Sequence, residues 1–249
     1  MLQVTVLGCG PSLGTPIIGC KCRVCTSKSP YNKRTRSSIL ISNQTTRVLV
    51  DFGFDIKDQL LGSNVSSLDA AILTHDHADH VGGIDNLRVF SFIHGRPLDV
   101  YVNKDIFAEI HDRYNYLFKA GRLTLKPIGV YDDIVVGSMK IQLFNQHHGE
   151  IDSLGLRVED FVLSCDVVNF PKESEQYLRH IDVWLLDCLD YNSNNCHAGL
   201  DKVLLWDEEF RPKKIYLTNM NHAIDYHEIT ERLPSHIRPS YDGLKIKIS

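Results

Sequence analysis

A chain of 249 residues with 43% hydrophobic and 23% charged side chains can bury a core of its own, and no stretch reaches the roughly 18 apolar residues of a membrane helix. Its formal charge of −4 offers phosphate backbones no general attraction, which argues against nucleic acid as a partner. The opening MLQVTVLGCG has neither the charged start nor the apolar centre of a secretory leader, so a cytoplasmic protein is expected.

The predicted elements follow one another without a low-complexity tract or long linker, and one domain over residues 1–249 is expected. LQVTVLG is a strand, and SSILISN and TRVLVDFG form a hairpin across the polar turn Asn43 to Thr46. DAAILT is short and continuously apolar, as a strand covered on both faces should be. Helices are expected near 103–111 and 112–119. Strands resume at SMKIQLFN, SLGLRVE and DFVLSCD. A helix at about 173–179, the strand DVWLLD, a helix near 198–209, the strand KKIYLT, a helix at 226–232 and the strand GLKIKIS complete the order. Hairpins mixed with helices favour layered sheets faced by helices.

Two stretches echo one another. TRVLVDFG followed by LDAAILTHDH parallels EDFVLSCDV followed by IDVWLLDCLD. In each, a strand ends in an aspartate (Asp51, Asp166), and a later buried strand ends in a ligand-type residue (His75, Asp187). Short apolar strands ending in aspartate are common, so chance is the competing explanation. If the echo is structural, two similar half-sheets face each other with their polar ends at one edge.

The seven cysteines are unevenly placed. Cys20, Cys22 and Cys25 crowd into GCKCRVC, which in a reducing compartment points to a metal rather than to disulfides. Cys9, Cys165, Cys188 and Cys196 read as small buried residues. The densest chemistry lies in ILTHDHADHVGG, where a strand end and the turn after it aim His75, His77, Asp79 and His80 at one place. Imidazole and carboxylate suit zinc, manganese or iron, and Gly82 and Gly83 let backbone pass close by.

THDHADHVGG resembles the HxHxDH signature of the metallo-β-lactamase superfamily. The resemblance implies an α/β fold, a four-layer αββα sandwich of two mixed β-sheets, with two divalent ions (zinc or manganese) in the active site. It places further ligands on later strand ends: His148, rather than its neighbour His147, for the first ion, and Asp166 as the bridge between the two. GPSLGTPIIGCKCRVC resembles the phosphoribosyl cyclic-phosphate phosphodiesterases of the carbon–phosphorus lyase pathway. That implies a Cys-rich loop at about 19–26 holding a structural zinc on Cys20, Cys22, Cys25 and a distant histidine, and it implies a homodimer. NNCHAGL resembles the segment with the catalytic histidine, here His197.

One departure stands out. In YLTNMNHAIDY, Asn219 occupies the place of a superfamily histidine, and His222 follows three residues later. In one reading His222 completes the cysteine site, and the second ion is held through Asp79, His80, Asp166 and the Asn219 amide oxygen. In the other, His222 turns to the catalytic pair. The resemblance implies hydrolysis of a small cyclic or nucleotide-type phosphodiester, with metal-activated water oriented by Asp79 and a proton supplied by His197. A tRNA 3′-end processing endoribonuclease is the enzymatic alternative, although no Lys/Arg-rich insertion supports it. A metal- or nucleotide-binding protein disabled at Asn219 is the non-enzymatic one.

Overall fold

The computed structural model describes residues 1–248; Ser249, the last residue of the expected terminal strand, lies outside the described residues. The strands are β1 (Leu2–Gly8), β2 (Ser38–Ser42), β3 (Arg47–Val50), β4 (Ala70–Leu73), β5 (Leu98–Asn103), β6 (Leu123–Ile128), β7 (Asp133–Val136), β8 (Met139–His148), β9 (Ile151–Val158), β10 (Phe161–Ser164), β11 (Val183–Asp187), β12 (Lys214–Thr218), β13 (Ile237–Pro239) and β14 (Lys245–Ile248). They form two seven-stranded sheets, ordered β14-β1-β2-β3-β4-β5-β6 and β13-β12-β11-β10-β9-β8-β7.

The echo seen in the sequence is topological. In the first sheet β14, β1, β2 and β3 pair antiparallel and β3 to β6 parallel. In the second, β7 to β10 pair antiparallel and β10 to β13 parallel. β3 therefore corresponds to β10 and β4 to β11, and Asp51 and Asp166 leave equivalent strand ends.

Side chains divide by the two-residue period of a strand. Val48, Val50, Ala70 and Ile72 face the core between the sheets, together with Ile141, Leu143, Leu154 and Leu185. Leu49, Ala71 and Leu73 face a separate cluster under α1 (Ile56–Gly62), α2 (Ala78–Val81), α3 (Arg88–His94), α4 (Phe107–Arg113) and α5 (Asn115–Lys119). On the second sheet, α6 (Leu200–Phe210) packs Trp206 against Phe170, ring centroids 4.8 Å apart, and α7 (Tyr226–Arg232) buries Ile229. The layers are thus helix, sheet, sheet, helix. No helix among the described residues is long and apolar enough to cross a membrane.

Several elements correct the sequence reading. The expected helix at 103–111 begins only at Phe107, because Asn103 still belongs to β5. That strand alternates buried Leu98, Val100 and Val102 with less buried neighbours, a half-buried pattern present in LDVYVN but not assigned. β6 and β13 were also missed; each contains a proline, and each lies at a sheet edge, where a missing N–H breaks no ladder. The segment near 173–179 is a 3₁₀ helix, Lys172–Leu178, rather than an α-helix.

Candidate metal centre

The polar residues gather where strands end. His75 follows β4 by two residues, His148 closes β8, Asp166 follows β10, Asp187 closes β11 and Asn219 follows β12. Asp51, Asp166 and Asn219 hold left-handed backbone, with φ of 59°, 51° and 62°. Such conformations cost roughly 1–3 kcal/mol outside glycine and persist where surrounding contacts enforce them. The turn through Asp79 and His80 is pressed onto the turn after β3. A Cβ at Gly83 would collide with the Gly53 carbonyl, and one at Gly53 with the Asp79 carbonyl, so both positions need glycine.

One ligand-type atom from each of His75, His77, His148 and Asp166 lies within 4.8 Å of the others, and Asp79, His80 and Asp166 form a second such group. Asp166 is common to both. Its Oδ2 lies 2.8 Å from His80 Nε2 and 3.3 Å from His75 Nε2. The opposite ring nitrogens are already engaged: His75 Nδ1 with Thr74 Oγ1 at 3.0 Å, His80 Nδ1 with Asp51 Oδ2 at 2.8 Å and His148 Nδ1 with the Cys196 carbonyl at 2.9 Å. These partners fix ring orientation and leave Nε2 facing inward, the arrangement of a metal-ligating histidine. The donor set fits divalent ions on that observation. His148, not His147, enters the group; half-buried His147 bonds Asp152 instead.

The electrostatics are those of a crowded buried site. Burial and the neighbouring His80 hold the pKa of His75 well below its usual value. Burial alone would raise Asp166, but His80, His75 and His197 outweigh it and push its carboxyl well below the ordinary range. His197 is also disfavoured as a cation by burial. Asp187, whose Oδ2 is 2.9 Å from His197 Nδ1, and Asp166 reverse this and raise it to about 9.

Asn219 differs from the expected oxygen ligand. Its Nδ2 donates to Asp166 Oδ1 at 2.6 Å and to Asp187 Oδ1 at 3.1 Å, so the amide nitrogen is the atom turned to the carboxylates. Two acceptors demand a donor there, which orients the amide.

The cysteine cluster lies apart from this centre. Cys20, Cys22, Cys25 and His222 bring ligand atoms within 4.8 Å of one another. His222 Nδ1 is 3.4 Å from both Cys20 Sγ and Cys22 Sγ. A tetrahedral zinc with bonds of about 2.3 Å to sulfur and 2.0 Å to nitrogen has S···N edges of about 3.5 Å, so the group fits a structural zinc. His222 therefore lies with the thiols and not with the His/Asp cluster. The Cys25 N–H and His222 lower the Cys22 thiol to about 6.

Two residues escaped the sequence reading as site residues although the echo had marked both. Asp51 accepts from the Thr74 N–H and hydroxyl as well as from His80. Asp187 orients His197.

Two facing mixed sheets with a His/Asp cluster at their strand ends define the metallo-β-lactamase fold. The chain belongs to the β-lactamase superfamily: the family model for the beta-lactamase superfamily domain matches residues 46–220. A solved structure of a new diphosphatase from the PhnP family superimposes with a TM-score of 0.94 at 29% identity, over 100% of this chain and 98% of that one. An octanoyltransferase of Porphyromonas gingivalis (strain ATCC BAA-308 / W83) is 32% identical over 253 residues, 98% of this chain but 51% of its own length, so the chain spans about half of that relative. Anti-Pycsar protein Apyc1 of Bacillus phage 010DV004 is 25% identical over 217 residues, covering 77% of this chain and 83% of the phage protein.

Proposed function

We propose that the protein is a metal-dependent phosphodiesterase acting on a small cyclic or nucleotide-type phosphodiester. The observation that carries this reading is the sharing of one carboxylate, Asp166, by two ligand groups. His75, His77, His148 and Asp166 would hold one divalent ion, zinc or manganese, and Asp79, His80 and Asp166 a second. Bound there, the ions supply Lewis acidity that lowers the pKa of water toward neutrality and neutralises phosphate oxygens.

The chain's own residues supply the rest. Asp79 lines the cavity and is placed to orient the attacking group. His197 spends Nδ1 on Asp187, so Nε2 is the nitrogen left to give a proton to the departing oxygen. The cavity, about 590 Å³, is also lined by Ser12, Leu189, Asn194 and Asn195, and by no lysine or arginine among the described residues. A substrate whose charge is concentrated on one diester suits such a wall better than a polyanion. The likeness to a PhnP-family diphosphatase, at 29% identity over the whole chain, supports a hydrolase of phosphorus–oxygen bonds.

The deciding experiment pairs metal analysis of purified protein with a screen of sugar cyclic phosphates, bis(p-nitrophenyl) phosphate, cyclic nucleotides and RNA. Turnover of a small diester that stops on chelation and returns with Mn²⁺ or Zn²⁺ supports the reading. Cleavage of RNA alone, or tight metal binding without any turnover, would replace it.

Two variants probe the metal assignments. Cys22→Ala should lose about one zinc per chain and melt on the order of 10 °C lower, while kcat at saturating metal changes little. Unchanged zinc content would remove the structural-zinc assignment. Asn219→His should add a nitrogen ligand, strengthen the second ion roughly tenfold and reduce any dependence on added Mn²⁺. A Mn²⁺ titration indistinguishable from wild type would show that position 219 does not limit that ion.

A further inference from the structure

The segment from Asn219 to Ile224 sends one residue into each cluster: Asn219 onto Asp166, and His222 onto the thiols. Its amides reach the Cys9 and Leu189 carbonyls and the Asn221 side chain donates to Asp190, but three of its carbonyls are gathered by one buried cation. Arg34, 1% exposed, donates from Nη1 to the carbonyl oxygens of Met220 at 3.3 Å and Asn221 at 2.9 Å. Its Nη2 donates to the Ile224 carbonyl at 2.7 Å and to Asn32 Oδ1 at 3.1 Å. Arg34 is also tied by its backbone, in both directions, to Thr15 on the loop that leads into Cys20, at 2.7 and 2.8 Å.

All four acceptors are neutral oxygens, and the Nε–H has no partner. Removing a guanidinium from water without a bonded carboxylate is costly. The geometry explains what the residue provides. A planar fork reaches acceptors on two sides at fixed angles, whereas an ammonium offers its donors from one point. The fork spans three carbonyls of the segment that carries Asn219 and His222.

We propose that Arg34 is a positioning residue of the metal centre: by clamping Met220, Asn221 and Ile224 it holds Asn219 on Asp166, and it couples the centre to the cysteine cluster on the same segment. The inference rests on reading the His/Asp cluster as a metal centre. It does not require the proposed reaction, because Arg34 touches neither cluster and acts through Asn219.

The test is a double-mutant cycle on the full chain, read by Mn²⁺ affinity from the electron paramagnetic resonance signal of free Mn²⁺. Melting temperature and the thiolate–Co²⁺ absorption of the cysteine cluster are followed in parallel. Arg34→Lys should fold, bind Mn²⁺ about tenfold more weakly and shift the Co²⁺ absorption. In the Asn219→Ala background the same substitution should change Mn²⁺ affinity less than about twofold, since the contact it acts through is gone. Should Arg34→Lys fail to fold, the cycle is run with Asn32→Ala, which removes one acceptor of the fork and should weaken Mn²⁺ about threefold only when Asn219 is present. Unchanged Mn²⁺ affinity in the folded variant, or an equal loss in both backgrounds, overturns the proposal. Binding is read without turnover, so a chain that binds Mn²⁺ yet cleaves no diester sinks the proposed reaction while the cycle still decides Arg34.

Discussion

Asp166→Ala is expected to lower kcat/KM at least about a thousandfold, roughly 4 kcal/mol of transition-state stabilisation, and to cut metal content at the centre. The carboxylate is the one group shared by both ligand sets, and its two oxygens do different work. Oδ2 faces the Nε2 atoms of His80, His75 and His148, at 2.8, 3.3 and 3.9 Å. Oδ1 accepts the Asn219 amide. Alanine removes the counter-charge from three clustered imidazoles and the acceptor from a buried amide together, so neither ligand group stays complete. Circular dichroism should show the fold retained, because the residue lies at a strand end outside the apolar core. Near wild-type turnover at saturating metal would end the assignment of Asp166 as the shared ligand.

Asp51 should be almost as sensitive, by a different route. It is 2% exposed and accepts from the Thr74 N–H at 2.9 Å, the Thr74 hydroxyl at 3.0 Å and His80 Nδ1 at 2.8 Å. Asp51→Ala leaves those buried donors unpaired, each at about 1–3 kcal/mol, and should destabilise the chain by several kcal/mol in urea unfolding. Asp51→Asn separates stability from ligation. The amide keeps the shape and can still accept from Thr74, but its NH₂ then faces His80 Nδ1. That nitrogen must become the acceptor, which moves the ring proton to Nε2, the atom facing Asp166 and Asp79. Second-ion affinity should fall about 10–100-fold while the melting temperature drops only a few degrees. If the Asp51→Asn variant binds the second ion as tightly as wild type, the tautomer of His80 is set elsewhere.

Much of the centre was legible because its chemistry is concentrated. His75, His77, Asp79 and His80 sit within six residues, and the strand before them announces itself as a continuous apolar run. The paired aspartates Asp51 and Asp166 could be suspected from the half-chain echo, whose origin is the repeated strand order of the two sheets. What could not be read were orientations and distant contacts. Whether Asn219 presents oxygen or nitrogen depends on Asp166 and Asp187, 53 and 32 residues away. Arg34 looks like an ordinary surface cation in NKRTRSS; its burial depends on carbonyls 186 to 190 residues later. Edge strands such as β6 and β13 were lost for another reason. Each carries a proline and is only partly buried, so local pattern barely distinguishes them from loops.

The pairing of β14 with β1 has a consequence for how the molecule is made. β1 leaves the ribosome before the other thirteen described strands, yet its outer neighbour is the last of the fourteen. Asp242, three residues before β14, also supplies the carboxylate that accepts from the Cys9 and Thr35 amides. Until β14 has been made, then, β1 offers an open strand edge to other nascent chains, and the loop leading to the cysteines lacks its tether. Seating β14 closes both at once, so a chain arrested before residue 242 keeps the histidine motif yet has an unfinished first sheet.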